Sequence, residues 1–207
     1  MVIILKFSKY LDESTLPDKE EIINIIDNKV DKQFLSDIKK AGSFVYRGLL
    51  DNITDFKIKE THEIRNSNMN VLLKDALNVH FNKKFGWNVR DGIFTTSNWH
   101  HIIKFFGKKY IFFPIGDYKF VWSKKIGDIN LEDRMMKFNG AVRFRTDDLD
   151  GVIKEFDEWL INDNILQSYV DDDLPSAIES QNEISFKCKE YMAINFEYNN
   201  VLKEKYL

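Results

Sequence analysis

The stretch that decides the fold runs from residue 110 to residue 122 and reads Tyr110-Ile111-Phe112-Phe113-Pro114-Ile115-Gly116-Asp117-Tyr118-Lys119-Phe120-Val121-Trp122. Both halves are rich in aromatic and β-branched residues, which are typical of strands. Gly116-Asp117 between them is a turn signal. The sequence therefore predicts two strands, 110–115 and 118–122, around a tight turn.

The segments before these strands are mainly helical in pattern. Apolar residues at i, i+3 and i+4 predict helices, and glycine at their ends predicts where they stop. Ser97 or Asn98 is a candidate cap for the helix predicted to begin at residue 99. In chain order the sequence predicts a helix over 19–40, a strand over 43–49, a helix over 71–85, an extended segment over 92–97 and a helix over 99–106.

The segments after residue 122 add one helix, at about 148–159, and two closing strands, 183–188 and 191–196. Helices lead the chain and short strands dominate later, which indicates an α+β fold and not a strict β-α-β alternation. The sequence shows no internal repeat, low-complexity segment or Gly/Ser/Pro-rich linker. We therefore expect a single domain over 1–207, with a helical part over 1–40 and a core over 41–196.

The composition is that of an ordinary globular protein, with 43% hydrophobic and 30% charged residues among 207. Thirty Lys and Arg against 33 Asp and Glu give a net charge of −3, so overall charge does not indicate nucleic acid or an anionic membrane as partner. A single cysteine, Cys188, excludes an internal disulfide framework. No apolar run is long enough for a secretory or membrane segment, so a cytoplasmic protein is predicted.

The glycine positions exclude several common enzyme classes. The nine glycines lie at 42, 48, 86, 92, 107, 116, 127, 140 and 151. No two of them are two, four or five apart, which rules out the G-x-G-x-x-G fingerprint, the nucleophile elbow and the Walker A loop. His62-Glu63 is not followed by a second histidine in the H-E-x-x-H spacing, and we expect no metal.

Three separated motifs carry chemistry. Arg47-Gly48 places a guanidinium inside an apolar strand, where it could grip phosphate or ribose oxygens or form a structural ion pair. Thr95-Thr96-Ser97 is a run of three hydroxyls before a helix. In the late segment 181–183, strand alternation would put Gln181 and Glu183 on one face.

In this order the three motifs resemble the mono-ADP-ribosyltransferase family of the arginine-serine-glutamate type. That family has an arginine on its first core strand, a Ser-Thr-Ser strand motif and a Q-x-E or E-x-E motif, and the match spans residues 40–196. Thr95 departs from the pattern, since it keeps the hydroxyl but adds a methyl group. The resemblance implies a split mixed β-sheet core preceded by N-terminal helices.

The resemblance also implies the substrate and the roles of the site residues. NAD⁺ would be cleaved at its nicotinamide–ribose bond, with Glu183 stabilising the ribosyl cation and Gln181 orienting the acceptor. Arg47 would contact phosphate or ribose oxygens, and Gly48 the nicotinamide amide. The remaining cofactor-binding candidates are the hydroxyls of Thr95, Thr96 and Ser97. Thr95 would also orient Glu183, and Phe106 or Phe94 would stack on nicotinamide.

Two further resemblances suggest the biological setting. The Q-x-E form looks like that of the Rho-modifying exoenzymes. The segments Phe112-Phe113-Pro114-Ile115-Gly116 and Trp122-Ser123 look like those of uncharacterised tailed-bacteriophage proteins. Together they imply a phage-encoded enzyme in the host cytoplasm. Its acceptor would be a host protein, with nucleic acid as an open alternative.

An alternative from another class is a catalytically silent binding or inhibitor protein on the same fold. Residues 74–125 hold ten Lys and Arg against three Asp, and residues 147–183 hold twelve acidic residues against Lys154. Such asymmetry suits either solvated faces or contacts with nucleotide, nucleic acid or a protein partner. Nicotinamide release from NAD⁺ would distinguish the enzyme from the binding protein.

Overall fold

The structure, a computed structural model, describes residues 19–50, 52–61, 71–100, 102, 108–127 and 148–207. Within these residues it contains six α-helices and six β-strands. In chain order they are α1 (Lys19–Lys29), α2 (Lys32–Ala41), β1 (Tyr46–Gly48), β2 (Phe56–Glu60), α3 (Val71–Phe85), β3 (Ile93–Thr95), β4 (Lys109–Ser123), α4 (Leu149–Asn162), β5 (Tyr169–Val170), α5 (Leu174–Glu179), β6 (Ile184–Asn195) and α6 (Asn199–Tyr206). The fold is α+β, as the sequence predicts.

The sheet is built on the long central pair β4 and β6. Its strand order is β1-β4-β6-β2, with β3 paired to β6 and β5 paired to β4. Every pair among the described strands is antiparallel, so the expected mixed sheet is wrong for this part of the chain. A bridge between Tyr46 and Thr96 also links β1 to β3. Strands β1, β4, β6 and β3 therefore form a closed circuit of pairings.

Both central strands are longer than the sequence suggests. The predicted hairpin at Gly116-Asp117 is one continuous strand, β4, because residues on both sides pair with β6. Between Ile115 and Tyr118 β4 advances three residues while β6 advances two, so the extra residue forms a β-bulge, with Gly116 at φ +68°. The two predicted closing strands are likewise the single strand β6.

The predicted helix over 19–40 is two helices. The side chain of Asp31 accepts hydrogen bonds from the backbone N–H groups of Gln33 and Phe34, at 2.7 and 3.2 Å, and so caps α2. Val30, just before it, leaves the helix and bridges to Ile115 of β4. The ends predicted at Gly42 and Gly86 are confirmed, and both glycines have positive φ.

Two hydrophobic clusters cover the central pair of strands. Val121 belongs to the smaller cluster and Trp122 to the larger one, and adjacent strand residues point to opposite faces. At this end of β4 the clusters therefore lie on opposite sides of the sheet. The larger includes buried residues of α1, α2, α5 and α6, and the smaller those of α3 and α4.

The close packing of Gly92 against β6 gives a testable consequence. A Cβ at this position would overlap Ser185 Oγ and lie 2.9 Å from the carbonyl oxygen of Phe186. Ser185 is itself fixed, since its hydroxyl donates to the carbonyl of Val89 at 2.8 Å. We expect Gly92→Ala to lower the free energy of unfolding by about 1–3 kcal/mol, measured by urea denaturation.

Gly127→Ala is the matched control for this substitution. Among the described residues its Cβ would meet only Asn182 Oδ1, at the ordinary contact distance of 3.5 Å. We expect its stability to stay within about 0.5 kcal/mol of the unmodified protein. Equal midpoints for the two variants would show that the β3–β6 contact is not tightly packed.

Candidate functional site

Strand pairing brings the three predicted motifs to one part of the sheet. Tyr46 and Thr96 exchange two backbone hydrogen bonds, of 2.8 and 3.0 Å, which join β1 to the end of β3. Thr95 in turn lies opposite Ile184 at the start of β6. The strands that carry Arg47 and the hydroxyl triplet therefore lie side by side with the segment that carries Glu183.

The register gives the order of these residues across the strands. Extending the Tyr46–Thr96 pair and the Thr95–Ile184 pair by one residue each gives two neighbouring rows across the strands. Arg47, Thr95 and Ile184 form one row, and Tyr46, Thr96 and Glu183 form the other. Arg47 and Glu183 thus stand in adjacent rows, two strand spacings or about 10 Å apart across the sheet. Glu183 precedes β6, so the strand pleat does not fix the direction of its side chain.

Arg47 is the most unusual residue of this region. It is only 7% exposed, and its Nε and Nη1 atoms are buried. Within the residues that the structure describes, neither atom has a hydrogen-bond partner. Its Cζ atom lies 5.1 Å from the centroid of the Tyr191 ring. Buried donors are nearly always paired in folded proteins, so this guanidinium is suited to receive an anionic ligand.

The hydroxyl triplet pins the chain that leads to β6. Thr95 donates to the carbonyl of Ile184 at 3.0 Å, and Thr96 to that of Gln181 at 2.8 Å. Ser97 donates to the carbonyl of Ile178. Each hydroxyl has a single proton, and all three protons are used on main-chain acceptors. The triplet therefore positions segment 178–184, and Thr95 acts on Glu183 through the neighbouring main chain.

Gln181 lies in the turn between α5 and β6. Its φ of 61° is left-handed, which is uncommon for a residue with a side chain and costs roughly 1–2 kcal/mol. Strand alternation does not place Gln181 and Glu183 on one face, contrary to the prediction, because β6 begins only at Ile184. The backbone of Gln181 is held on both sides, by Thr96 and by Ile178, and its side chain is exposed.

A second cluster lies on the other face of β1, where Tyr46 points. Lys109 is paired with Gly48. Its Nζ lies 3.4 Å from the ring centroid of Trp99 and 3.2 Å from that of Phe196. Desolvation lowers the pKa of Lys109, and burial raises the pKa of Tyr46 to about 12. These aromatic contacts fix β1 from the face opposite Arg47.

Phe94 and Gly48 lie in surroundings different from those of Arg47 and the hydroxyl triplet. Phe94 is half-buried, and the guanidinium of Arg90 lies 4.6 Å from its ring centroid. Phe106, the other candidate for stacking on nicotinamide, lies outside the described residues. Gly48 is half-buried at the end of β1.

Two concavities are lined by residues other than those of the candidate site. One concavity of about 540 Å³ lies between α3 and residues 88–91, and another of about 410 Å³ lies among α1, α2 and α6. In the described part of the chain, no three His, Cys, Asp or Glu side chains gather as ligands for a metal ion. None of the helices described there has the length and apolar character needed to cross a bilayer. The candidate site is thus defined by its buried donors and not by its volume.

Comparison with known proteins adds no assignment. No protein-family model matches the sequence, and no curated protein or solved structure matches the chain. The functional interpretation therefore depends on the arrangement of β1, β3 and the segment before β6.

Sequence reasoning missed two residues of this region, Tyr191 and Lys109. Each lies far along the chain from Arg47, and each owes its contacts to the register of β4 with its neighbours. The only sequence signal is that both occur in apolar, aromatic-rich strands, which many structural residues share. The positions of Tyr191 and Lys109 relative to β1 cannot be predicted without knowledge of the strand pairing.

Proposed function

We propose that the protein is an NAD-dependent mono-ADP-ribosyltransferase built on a core like that of this family. The observation that carries the proposal is the buried guanidinium of Arg47, whose Nε and Nη1 have no hydrogen-bond partner among the described residues. It lies on the strand next to the hydroxyl triplet, which holds the main chain beside Glu183. A pyrophosphate or ribose oxygen supplies the acceptors that this guanidinium lacks.

The proposed reaction breaks the bond between the nicotinamide nitrogen and ribose C1′. The bonding electron pair leaves with nicotinamide, which becomes neutral, and C1′ becomes an oxocarbenium-like cation. A nucleophilic atom of the acceptor then bonds to C1′ and releases a proton. The products are ADP-ribosyl acceptor, nicotinamide and H⁺, so neither a metal nor a redox partner is needed for the balance.

Each side chain has a distinct part in this reaction. Arg47 binds phosphate or ribose oxygens of NAD⁺, and Glu183 stabilises the cation as charge develops at C1′. Gly48, at the end of β1, leaves its main chain open to the nicotinamide amide. The exposed side chain of Gln181 faces the acceptor. The hydroxyls of Thr95, Thr96 and Ser97 keep the main chain before β6 in place, since their protons are used there.

The loop before α5 supports a protein acceptor. Asp171, Asp172 and Asp173 are exposed and follow β5 directly. Trp122 Nε1 donates to the Asp172 carbonyl at 2.9 Å, and Asp173 caps α5 by accepting from the backbone N–H of Ser176. This fixes a run of carboxylates close in sequence to Gln181. Such a run repels phosphates and attracts a basic protein surface, so we propose a host protein as acceptor, with nucleic acid disfavoured.

The direct test is to incubate the purified protein with NAD⁺ labelled on the adenylate phosphate, alone and with a bacterial lysate. We expect nicotinamide release in both samples and transfer of label to a macromolecule in the lysate. Protease and nuclease treatment of the labelled product would identify the class of acceptor. Absence of nicotinamide release under both conditions would reject the proposal, and NAD⁺ binding without release would favour the silent binding protein.

A further inference from the structure

We propose that Tyr191 is a positioning residue for Arg47, and that its ring holds the guanidinium in place while leaving the nitrogen atoms free for an anion. This inference deepens the proposed function and rests on it for the identity of the anion, the pyrophosphate of NAD⁺. It concerns a residue that touches Arg47 and not the substrate.

The contact crosses three strands. Arg47 on β1 is paired with Tyr110 of β4, and Tyr191 on β6 is paired with Pro114 of the same strand. The Arg47 side chain therefore extends along and across β4 to reach the Tyr191 ring, with its Cζ 5.1 Å from the ring centroid. This lies within the distance of about 6 Å at which a ring face attracts a cation. The attraction is strong here because both residues are buried.

The ring of Tyr191 is itself fixed by other rings. It is 4% exposed and lies 5.4 Å from the ring of Phe112, which lies 5.0 Å from that of Phe186. Phe186 belongs to the part of β6 that is paired with β3, three residues after Glu183. The rings of Tyr191, Phe112 and Phe186 thus form a continuous column. This column connects the ring beside the Arg47 guanidinium with the part of β6 that follows Glu183.

A ring is better suited to this task than a carboxylate. A carboxylate would take one or two N–H groups of the arginine and would neutralise its charge. A ring attracts the cation through its face and uses no N–H donor. Arg47 accordingly keeps Nε and Nη1 without a hydrogen-bond partner among the described residues, although it is almost completely buried.

The test compares Tyr191→Phe, which keeps the ring, with Tyr191→Leu and Tyr191→Met, which remove it. Phe113→Leu is the matched control, because Phe113 is fully buried and its ring contacts within the described residues are with Phe34, Phe44 and Tyr206. Calorimetry gives the affinity of each variant for NAD⁺ and for inorganic pyrophosphate. Thermal unfolding shows how much of each variant is folded at the temperature used.

We expect Tyr191→Phe to bind both ligands within about threefold of the unmodified protein. Removal of the ring should weaken both affinities about tenfold more than the control does. Because the ring acts on binding, KM for NAD⁺ should rise while kcat changes little. Methionine is flexible and fills irregular gaps in a core, so Tyr191→Met serves for the comparison if Tyr191→Leu does not fold.

The outcomes separate this inference from the proposed function. Affinities of the ring-deleted variants equal to that of the control would overturn the role of Tyr191, while nicotinamide release by the unmodified protein would still support the transferase. Loss of pyrophosphate binding in these variants, without nicotinamide release by the unmodified protein, would support the ring–guanidinium contact and reject the transferase. No pyrophosphate binding by the unmodified protein would overturn the inference.

Discussion

Glu183→Gln is expected to slow nicotinamide release from NAD⁺ by about 10²–10³-fold while leaving the fold unchanged. The amide keeps the size of the carboxylate and one acceptor oxygen, but it replaces the other oxygen by an NH₂ donor and removes the negative charge. That charge acts on the cation that develops at C1′ in the transition state, so kcat should fall more than affinity for NAD⁺ does. Initial rates of nicotinamide formation and a thermal unfolding curve measure the two effects.

Glu179→Gln is the matched control for this substitution. Glu179 ends α5, four residues before Glu183, and is exposed. Its neutralisation changes the net charge by the same amount, so nicotinamide release should remain within about twofold of the unmodified rate, as for other surface positions. If both variants release nicotinamide at the unmodified rate, the assignment of Glu183 is wrong.

Arg47→Met is expected to change stability and ligand affinity in opposite directions. The guanidinium holds two buried donors that have no hydrogen-bond partner among the described residues, and replacing such a group by an apolar one of similar length removes their desolvation cost. We expect the free energy of unfolding to rise by about 1–2 kcal/mol. Affinity for NAD⁺ should fall about 10²-fold, because charge-assisted hydrogen bonds contribute about 1.5–3 kcal/mol each.

Arg47→Lys and Lys57→Met complete this experiment. An ammonium keeps the charge but cannot reproduce the planar fork, so Arg47→Lys should weaken NAD⁺ binding without abolishing it. Lys57 is exposed on β2, and its replacement removes one positive charge away from β1 and β3. Urea denaturation and calorimetry give the two quantities. A destabilised Arg47→Met variant with unchanged affinity would show that Arg47 is structural.

The local features of the fold could be predicted where glycine and apolar spacing act together. Helix α3 has the bounds that Gly86 and the apolar positions indicate, and α4 begins within a residue of the predicted start. It is harder to predict from sequence where a helix divides into two and where two apparent strands form one. Asp31 splits the first helix by capping the second, and Gly116 forms a bulge in a continuous strand because β6 pairs with both of its sides.

Pairing with distant strands explains the elements that sequence reasoning missed. Strand β2 is short and alternates lysine with apolar residues, and it is a strand because β6 lies beside it. Helix α6 has only eight residues and is stabilised by burying Leu202 and Tyr206 in the larger cluster. Helix α6 is too short to form on local preference alone, whereas the alternation in β2 is a strand signal confined to five residues.

The candidate site could be predicted as a set of motifs but not as a geometry. The order of Arg47, the hydroxyl triplet and Glu183 along the chain is visible in the sequence. Their adjacency depends on the bridge between Tyr46 and Thr96 and on the β3–β6 register. The sequence also does not reveal that the three hydroxyl protons are used on main-chain carbonyls, since any threonine or serine can donate to a neighbour or to a ligand.

The central position of β6 has a consequence for synthesis of the protein. This strand is hydrogen-bonded to β2, β3 and β4, yet it follows the other five described strands in the sequence. A growing polypeptide on the ribosome therefore lacks the partner that joins these strands until residue 195 has emerged. Contacts so distant in sequence form late and slowly. The sheet of the nascent chain consequently stays incomplete until translation has passed this segment.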